Sequence, residues 1–214
     1  REDWATIVCL VGGGQEINTG EAGITEKLSA FVHALLNFDP IASEIYKEIK
    51  DKYPIVLTRD MHKARKWLHN KVRGSERTGV LVTKEAARFK PLAVHILAQG
   101  DENAVHWFLE DKSDIRASNY LEDAATEIQV QGLELDYTCL LWDADMRYDN
   151  GRWRFYRFNG KNQWTENTGD TENKADMQKY MLNAYRVLLT RARAGMVICI
   201  PYGNPNKTST GFWE

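Results

Sequence analysis

Apolar positions along the chain recur at two spacings, one of strands and one of helices. Ala5 to Val11 is a near-continuous apolar run closed by Gly12-Gly13-Gly14, which predicts a buried strand and a tight loop. From Thr25 to Asn37, Leu28, Phe31, Val32, Leu35 and Leu36 fall on one helical face. Asp39-Pro40 is a helix start, with the Asp as N-cap and Pro at the first helical position, and the helix it opens carries Ile41, Ile45, Tyr46 and Ile49. Pro54 to Thr58 predicts a short strand. Asp60 then caps a basic helix to about Arg73 that buries Ala64, Trp67 and Leu68. Gly79 to Thr83 predicts a strand and Asp101 to Asp111 a helix burying Ala104, Val105 and Phe108.

In the second half, Thr126 to Val130 and Tyr137 to Trp142 read as two more strands. Asp149-Asn150-Gly151 is a hairpin turn, after which Arg152 to Phe158 alternates polar and aromatic residues as a half-exposed strand does. Asp176 to Arg193 predicts a long helix, apolar almost all round and therefore buried, and Met196 to Ile200 a final core strand. The tail after Pro201 is rich in Gly, Pro, Asn, Ser and Thr and reads as loose. Short apolar strands separated by helices predict an α/β fold: a mainly parallel sheet with helices on both faces and an antiparallel hairpin insertion.

Composition narrows the class. With 7 Trp, 9 Tyr and 7 Phe to bury in 214 residues, disorder is excluded. The longest apolar runs fall far below the roughly 18 residues a membrane span needs, so no membrane partner is expected. Cys9, Cys139 and Cys199 all sit in apolar strand-like runs. An odd number of buried thiols points to a reducing compartment, hence a cytoplasmic protein, and not to a disulfide framework. A net charge of −2 excludes nucleic-acid binding by the charge of the chain as a whole, but the charge is uneven. Arg59 to Lys90 holds ten Lys/Arg against three Asp/Glu, whereas Asp101 to Asp136 holds two against ten. Either these are two solvated faces, or the basic one is a groove wall that meets phosphates.

Several chemistries are missing their residues. The histidines (33, 62, 69, 95 and 106) have no zinc spacing, no G-x-S-x-G elbow occurs, and the lone Gly160-Lys161 is followed by Asn162, so the phosphate-binding loop G-x-x-x-x-G-K-[ST] is absent. Asp143, Asp145, Glu122 and Asp123 could together form a carboxylate site for Mg²⁺, the basis of a reading as a metal-dependent nuclease. Trp107, Trp153 and Trp164 could stack bases or could simply pack. Three arginines, Arg186, Arg191 and Arg193, close the predicted buried helix. Arginine keeps its charge, so burial demands an anionic partner, either a structural carboxylate or a ligand. On a continuous helix, Arg186 and Arg193 share one face and Arg191 is turned well away from it.

Three segments in order resemble the late motifs of superfamily 1 helicases. Thr126-Glu127-Ile128-Gln129-Val130-Gln131-Gly132-Leu133-Glu134-Leu135-Asp136 is similar to motif V, T-x-H-K-S-Q-G-x-E-x-D in one branch, with Gln129 in the His place. Leu189-Thr190-Arg191-Ala192-Arg193 resembles the core of motif VI. Gly12-Gly13-Gly14-Gln15 resembles motif III, with its Asp missing and its loop one residue shorter, and Ile55-Val56-Leu57-Thr58-Arg59 resembles motif IV. The closest resemblance is to the helicase domain family related to the Schlafen proteins, whose stretches G-G-G-Q-E-I-N-x-G-E-x-G, Y-P-I-V-L-T-R, Q-G-L-E-L-D, W-D-A-D and N-A-Y-R-V-L-L-T-R-A-R all occur between Gly12 and Arg193.

The resemblance implies a RecA-like fold of the P-loop NTPase type, in a two-domain motor that uses ATP with Mg²⁺ and moves on DNA or RNA, single-stranded where it is gripped. Walker A and B motifs, which precede motif III in the family, are not in this chain. The implied organisation is a remnant of the first motor domain at 1–21, the second RecA-like motor domain at 22–201 and a tail at 202–214. The remaining N-terminal RecA-like domain then belongs to the same, longer protein. The resemblance assigns Arg191, Gln15 and Arg59 to the γ-phosphate, Glu134 and Gly132 to the nucleotide, and Thr126, Gln131 and Gly132 to the nucleic-acid backbone. The implied function is that of the second motor domain of an ATP-dependent helicase or translocase. The alternatives are a non-catalytic interaction module on a helicase scaffold and the nuclease above.

Overall fold

A computed structural model describes residues 22–86, 89, 94–97, 103–159, 164–166 and 172–202. The predicted strand at Ala5 to Val11, the Gly12–Gln15 loop and the tail beyond Tyr202 lie outside these residues.

Six strands form one sheet: β1 (Ile55–Thr58), β2 (Thr78–Val82), β3 (His95–Ile96), β4 (Asp123–Thr126), β5 (Leu135–Leu141) and β9 (Ala192–Cys199). Their order is β1-β9-β5-β2-β4-β3, and every pairing is parallel. Strand residues alternate between two cores, as the pleat requires. On one face Leu81, Ala125, Leu140, Met196 and Ile198 meet α1 (Ala22–Leu36), α2 (Ile41–Ile49) and α5 (Glu172–Leu189). On the other, Val80, Val82, Ala124, Cys139, Leu141, Val197 and Cys199 meet α3 (Met61–Lys71) through Met61, Ala64 and Leu68. The fold is the mainly parallel α/β arrangement that the strand–helix alternation predicts, and it agrees with the RecA-like fold that the resemblance implies. Cys139 and Cys199 are buried free thiols, and burial pushes the Cys199 thiol up to about 12.

The two predicted caps form. The Asp39 carboxylate accepts from the Ile41 N–H at 3.0 Å, and that of Asp60 accepts from the N–H groups of His62 and Lys63 at 2.8 and 3.3 Å. The hairpin β6 (Met146–Asp149) and β7 (Arg152–Phe158) turns at Asn150-Gly151, both with positive φ (49° and 82°), as a tight hairpin turn requires. A third antiparallel strand, β8 (Trp164–Glu166), extends it. The hairpin is tied to the domain by Trp153, whose indole N–H donates to the Leu36 carbonyl at the end of α1.

Gly79 in β2 has a specific packing reason. A Cβ there would stand 2.5 Å from Cζ2 and 2.8 Å from Cη2 of Trp107. That indole is 2% exposed on α4 (Asn103–Leu109), and its N–H donates to the Asp123 carbonyl at 3.1 Å. Trp107 is thus a core residue pinned against a glycine, and not a base-stacking one. Gly79→Ala should cost about 2 kcal/mol through overpacking, read from the midpoint of chemical denaturation. A midpoint equal to wild type would show that the ring can move aside.

Two elements depart from the sequence reading. The strand predicted at Thr126 to Val130 ends at Thr126, and residues 127–132 form turns. The helix predicted to reach Arg193 stops at Leu189, so Arg191 lies in the connection to β9 and Arg193 on β9 itself. The shared helical face expected for Arg186 and Arg193 therefore does not exist.

Candidate functional site

The turn after β4 is locked by its own side chains. The Thr126 carbonyl accepts from the N–H groups of Gln129 and Val130 at 3.0 and 3.1 Å. The Gln129 side-chain oxygen takes both the Thr126 N–H (2.8 Å) and the Thr126 hydroxyl (3.0 Å). Thr126 is buried, so its hydroxyl braces the turn from inside. Gln131, Gly132 and Glu134 are exposed beyond it. Gly132 has φ +83°, and nothing stands within 4 Å of where a Cβ would sit. The backbone there is open to an approaching ligand.

The end of α5 meets this turn. Thr190 folds its hydroxyl back to the carbonyls of Arg186 (2.9 Å) and Val187 (3.2 Å), which stops the helix. Arg191 then lays its guanidinium between the two segments. Its Nε donates to the Val187 carbonyl at 3.0 Å, and its Nη1 to those of Val130 at 3.4 Å and Leu133 at 3.2 Å. Burial holds the Arg191 pKa below its ordinary value, opposed by the charge of nearby Glu134.

The three arginines are thereby told apart. Arg193 has a carboxylate, Asp136 Oδ1 at 2.6 Å. That same carboxylate accepts from the Arg77 backbone N–H at 2.7 Å through Oδ2, so Asp136 joins the starts of β2, β5 and β9. Arg186 donates to the Asn183 side chain on its own helix. Arg191 is partnered by carbonyl and hydroxyl oxygens, and among the described residues it has no carboxylate within ion-pair distance.

The predicted site residues separate into two groups at opposite ends of the sheet. Arg191, Gly132, Glu134 and Gln131 cluster where β5 and β9 begin. Arg59 follows β1, whose last residue Thr58 pairs with Cys199 at the far end of β9. Eight residues of β9 separate the two arginines, about 25 Å at strand rise. The two arginines therefore stand at opposite ends of the sheet. Gln15 lies outside the described residues.

The basic stretch is likewise divided. Arg77 is spent on the carbonyl end of α4, donating to Phe108, Leu109 (3.2 Å) and Glu110 (3.3 Å). Arg65 donates to the Leu121 carbonyl at 3.0 Å. The remaining cations of α3 face solvent. Among the described residues, Arg65 and Arg77 are therefore not part of an open basic face.

The four acids proposed for Mg²⁺ do not assemble. Asp123 begins β4, Glu122 precedes it on the surface, and Asp143 and Asp145 lie fully buried beyond the other end of β5. Among the described residues, no group of three or more His, Cys, Asp or Glu side chains is placed to hold a metal ion. Asp145 instead accepts from the hydroxyls of Tyr185 (2.6 Å) and Thr83. Burial, and then the charge of Asp143, push its pKa up to about 7. Sequence reasoning misses this network, because acids that follow a strand read as candidate Mg²⁺ ligands. The signal available is Tyr185, a hydroxyl on the buried side of α5.

The RecA-like sheet, with a turn resembling motif V joined to a helix end resembling motif VI, agrees with a helicase-type domain. A family model described as Schlafen group 3, DNA/RNA helicase domain, matches residues 23–201, and the chain belongs to that family. The match covers the segments at Arg59, Thr126–Asp136 and Arg191 and leaves Gly12–Gln15 outside it. Comparison with curated proteins and with solved structures finds no match. Among the described residues no helix is long and apolar enough to cross a membrane.

Proposed function

We propose that residues 22–201 act as the second RecA-like motor domain of an ATP-dependent DNA or RNA helicase or translocase, with 1–21 the end of the first motor domain and 202–214 a tail. The observation that carries this reading is Arg191, a half-buried cation set beside an open glycine turn with only neutral oxygens for partners. Carbonyl dipoles satisfy its N–H groups, and the charge of nearby Glu134 offsets only part of the cost of its burial, so the corner fits an anionic ligand.

ATP, with its Mg²⁺, supplies the phosphoryl group whose transfer drives movement in such a motor, and the phosphate loop belongs to the first domain. On this side of the cleft, Arg191 donates to the charge that develops on the γ-phosphate, as an arginine finger does. Glu134 accepts from the ribose or braces Arg191. The exposed backbone at Gln131 and Gly132 positions a nucleic-acid phosphate, while Thr126 and Gln129 keep the turn in shape. Arg59, at the other end of the sheet, belongs with the nucleic acid and not with the nucleotide.

In this reading the chain alone should show no ATP hydrolysis above background, because the groups that hold the β- and γ-phosphates are elsewhere. A phosphate-release assay with added single-stranded oligonucleotide checks this. Turnover by the isolated chain would mean that a complete phosphate site lies within it, and the assignment to the second domain would fall.

A further inference from the structure

We propose that the outer face of α3, together with Tyr202, is a track for a nucleic-acid single strand, separate from the Gly132–Arg191 corner. The proposal rests on the reading of the chain as a helicase motor domain, and it names a surface that this reading leaves unassigned. The helix reads MHKARKWLHNK and contains no acid. Its inner face, Met61, Ala64 and Leu68, is buried against the sheet. His62, Lys63, Lys66 and His69 are exposed, and their spacing of three and four places them along one outward stripe. The seven helical steps from His62 to His69 make that stripe about 10 Å long.

The neighbouring charges leave this stripe uncompensated. Asp60 is the one acid between Arg59 and Arg73, and its carboxylate is turned onto the first N–H groups of the helix. The two cations that have structural work lie off the stripe: Arg65 donates to Leu121, and the Lys71 ammonium sits 5.6 Å from the Trp67 ring. Among the described residues Lys63 and Lys66 have no ion-pair partner.

A second observation points to the class of ligand. Tyr202 is 76% exposed at the end of the sheet where α3 begins, and its ring is held under the Arg59 guanidinium at 5.2 Å. A large exposed aromatic at the head of a basic stripe combines the two elements single strands require, a π-face for a base and cations for the phosphates that follow. A surface for acidic peptide needs the cations but gains nothing from a propped ring.

The test is fluorescence anisotropy of this chain, without nucleotide, on 20-residue oligodeoxyuridylate and oligouridylate over a salt series; the two arms differ only in the 2′-hydroxyl and report which sugar is preferred. Wild type should bind with strong salt dependence. Lys63→Glu/Lys66→Glu should weaken binding at least ten-fold at low salt and flatten the log–log slope by about 1.4, at roughly 0.7 for each phosphate that is no longer neutralised. Tyr202→Ala should weaken it about five-fold or more with the slope unchanged. All three side chains are exposed, so the thermal midpoint should stay at the wild-type value and confirm folding. Absence of binding by wild type, or an affinity and slope unchanged in the double variant, overturns the track. Either result leaves the ATP reading standing, since that is decided by turnover.

Discussion

In the proposed two-domain motor, replacing Arg191 by alanine should lower ATP turnover by roughly 10³-fold or more, with nucleotide affinity close to wild type. The reasoning begins with what the guanidinium does without ligand. Its donors reach Val187, Val130 and Leu133 carbonyls, so it ties the end of α5 to the turn that precedes β5. Each such bond is worth about 1 kcal/mol net, since water competes for both partners. An anion at the same corner offers shorter, charge-assisted bonds, roughly twice as strong, and the interaction is strongest when charge builds up in transfer. Its loss therefore falls on kcat and not on binding. Because the alanine variant also loosens the turn, a stability drop of about 1–2 kcal/mol is expected, and turnover must be measured where the variant is fully folded. Arg191→Lys separates the roles: it keeps the charge but not the planar fork, so it should recover part of the turnover. If the alanine variant hydrolyses ATP at the wild-type rate, Arg191 is a strut between two segments and nothing more.

The parts of the fold that are legible in the sequence are those whose chemistry is local. Asp39 and Asp60 announce their helices because a cap acts within three residues, and Asn150-Gly151 announces its hairpin because few residues accept positive φ. The strand before the turn is misplaced for a reason of the opposite kind. Ile128 and Val130 alternate with polar residues and read as a strand, whereas Asp123-Ala124-Ala125 has little β propensity. In the fold, Ala124 and Ala125 are fully buried on opposite faces of the sheet. Gln129 meanwhile closes the apparent strand into a turn. Packing overrides propensity there, and periodicity carries no sign of it. The end of α5 is overrun because Leu-Thr-Arg-Ala-Arg continues a good helical pattern. Thr190 and the pairing of Ala192 with Leu135 end it, and that pairing depends on a neighbour far away in sequence. The separation of Arg59 from Arg191 has the same origin: motif order says nothing about which end of a strand a residue occupies.

Raising the pH from about 4 to 8 should progressively remove stability contributed by Asp145, and Asp145→Asn should abolish that part of the pH dependence. The carboxyl is fully buried, and desolvation followed by the charge of Asp143 raises its pKa from 3.8 to about 7. Between those values the folded protein holds a proton that the unfolded chain has released. Stability therefore falls as pH rises across the window, is fully present below about 4 and is lost by the time the pH passes 7. The size is at most on the order of 4 kcal/mol for a shift of this extent. Carboxylates held down by partners, such as Asp114 beside Arg116, act in the opposite direction at the acid end, so the total curve alone does not isolate the effect. The difference in unfolding free energy between wild type and Asp145→Asn, followed by denaturant titration at a series of pH values, does. It should slope downward for wild type relative to the variant between pH 4 and 7 and be flat above. Tyr185→Phe removes one of the two hydroxyls that favour the ionised form, so it should extend the slope and move its end to higher pH. A flat difference across the whole range would mean that the hydroxyls of Tyr185 and Thr83 keep Asp145 ionised throughout, and that the junction between β5, the hairpin and α5 is built around a permanent buried charge.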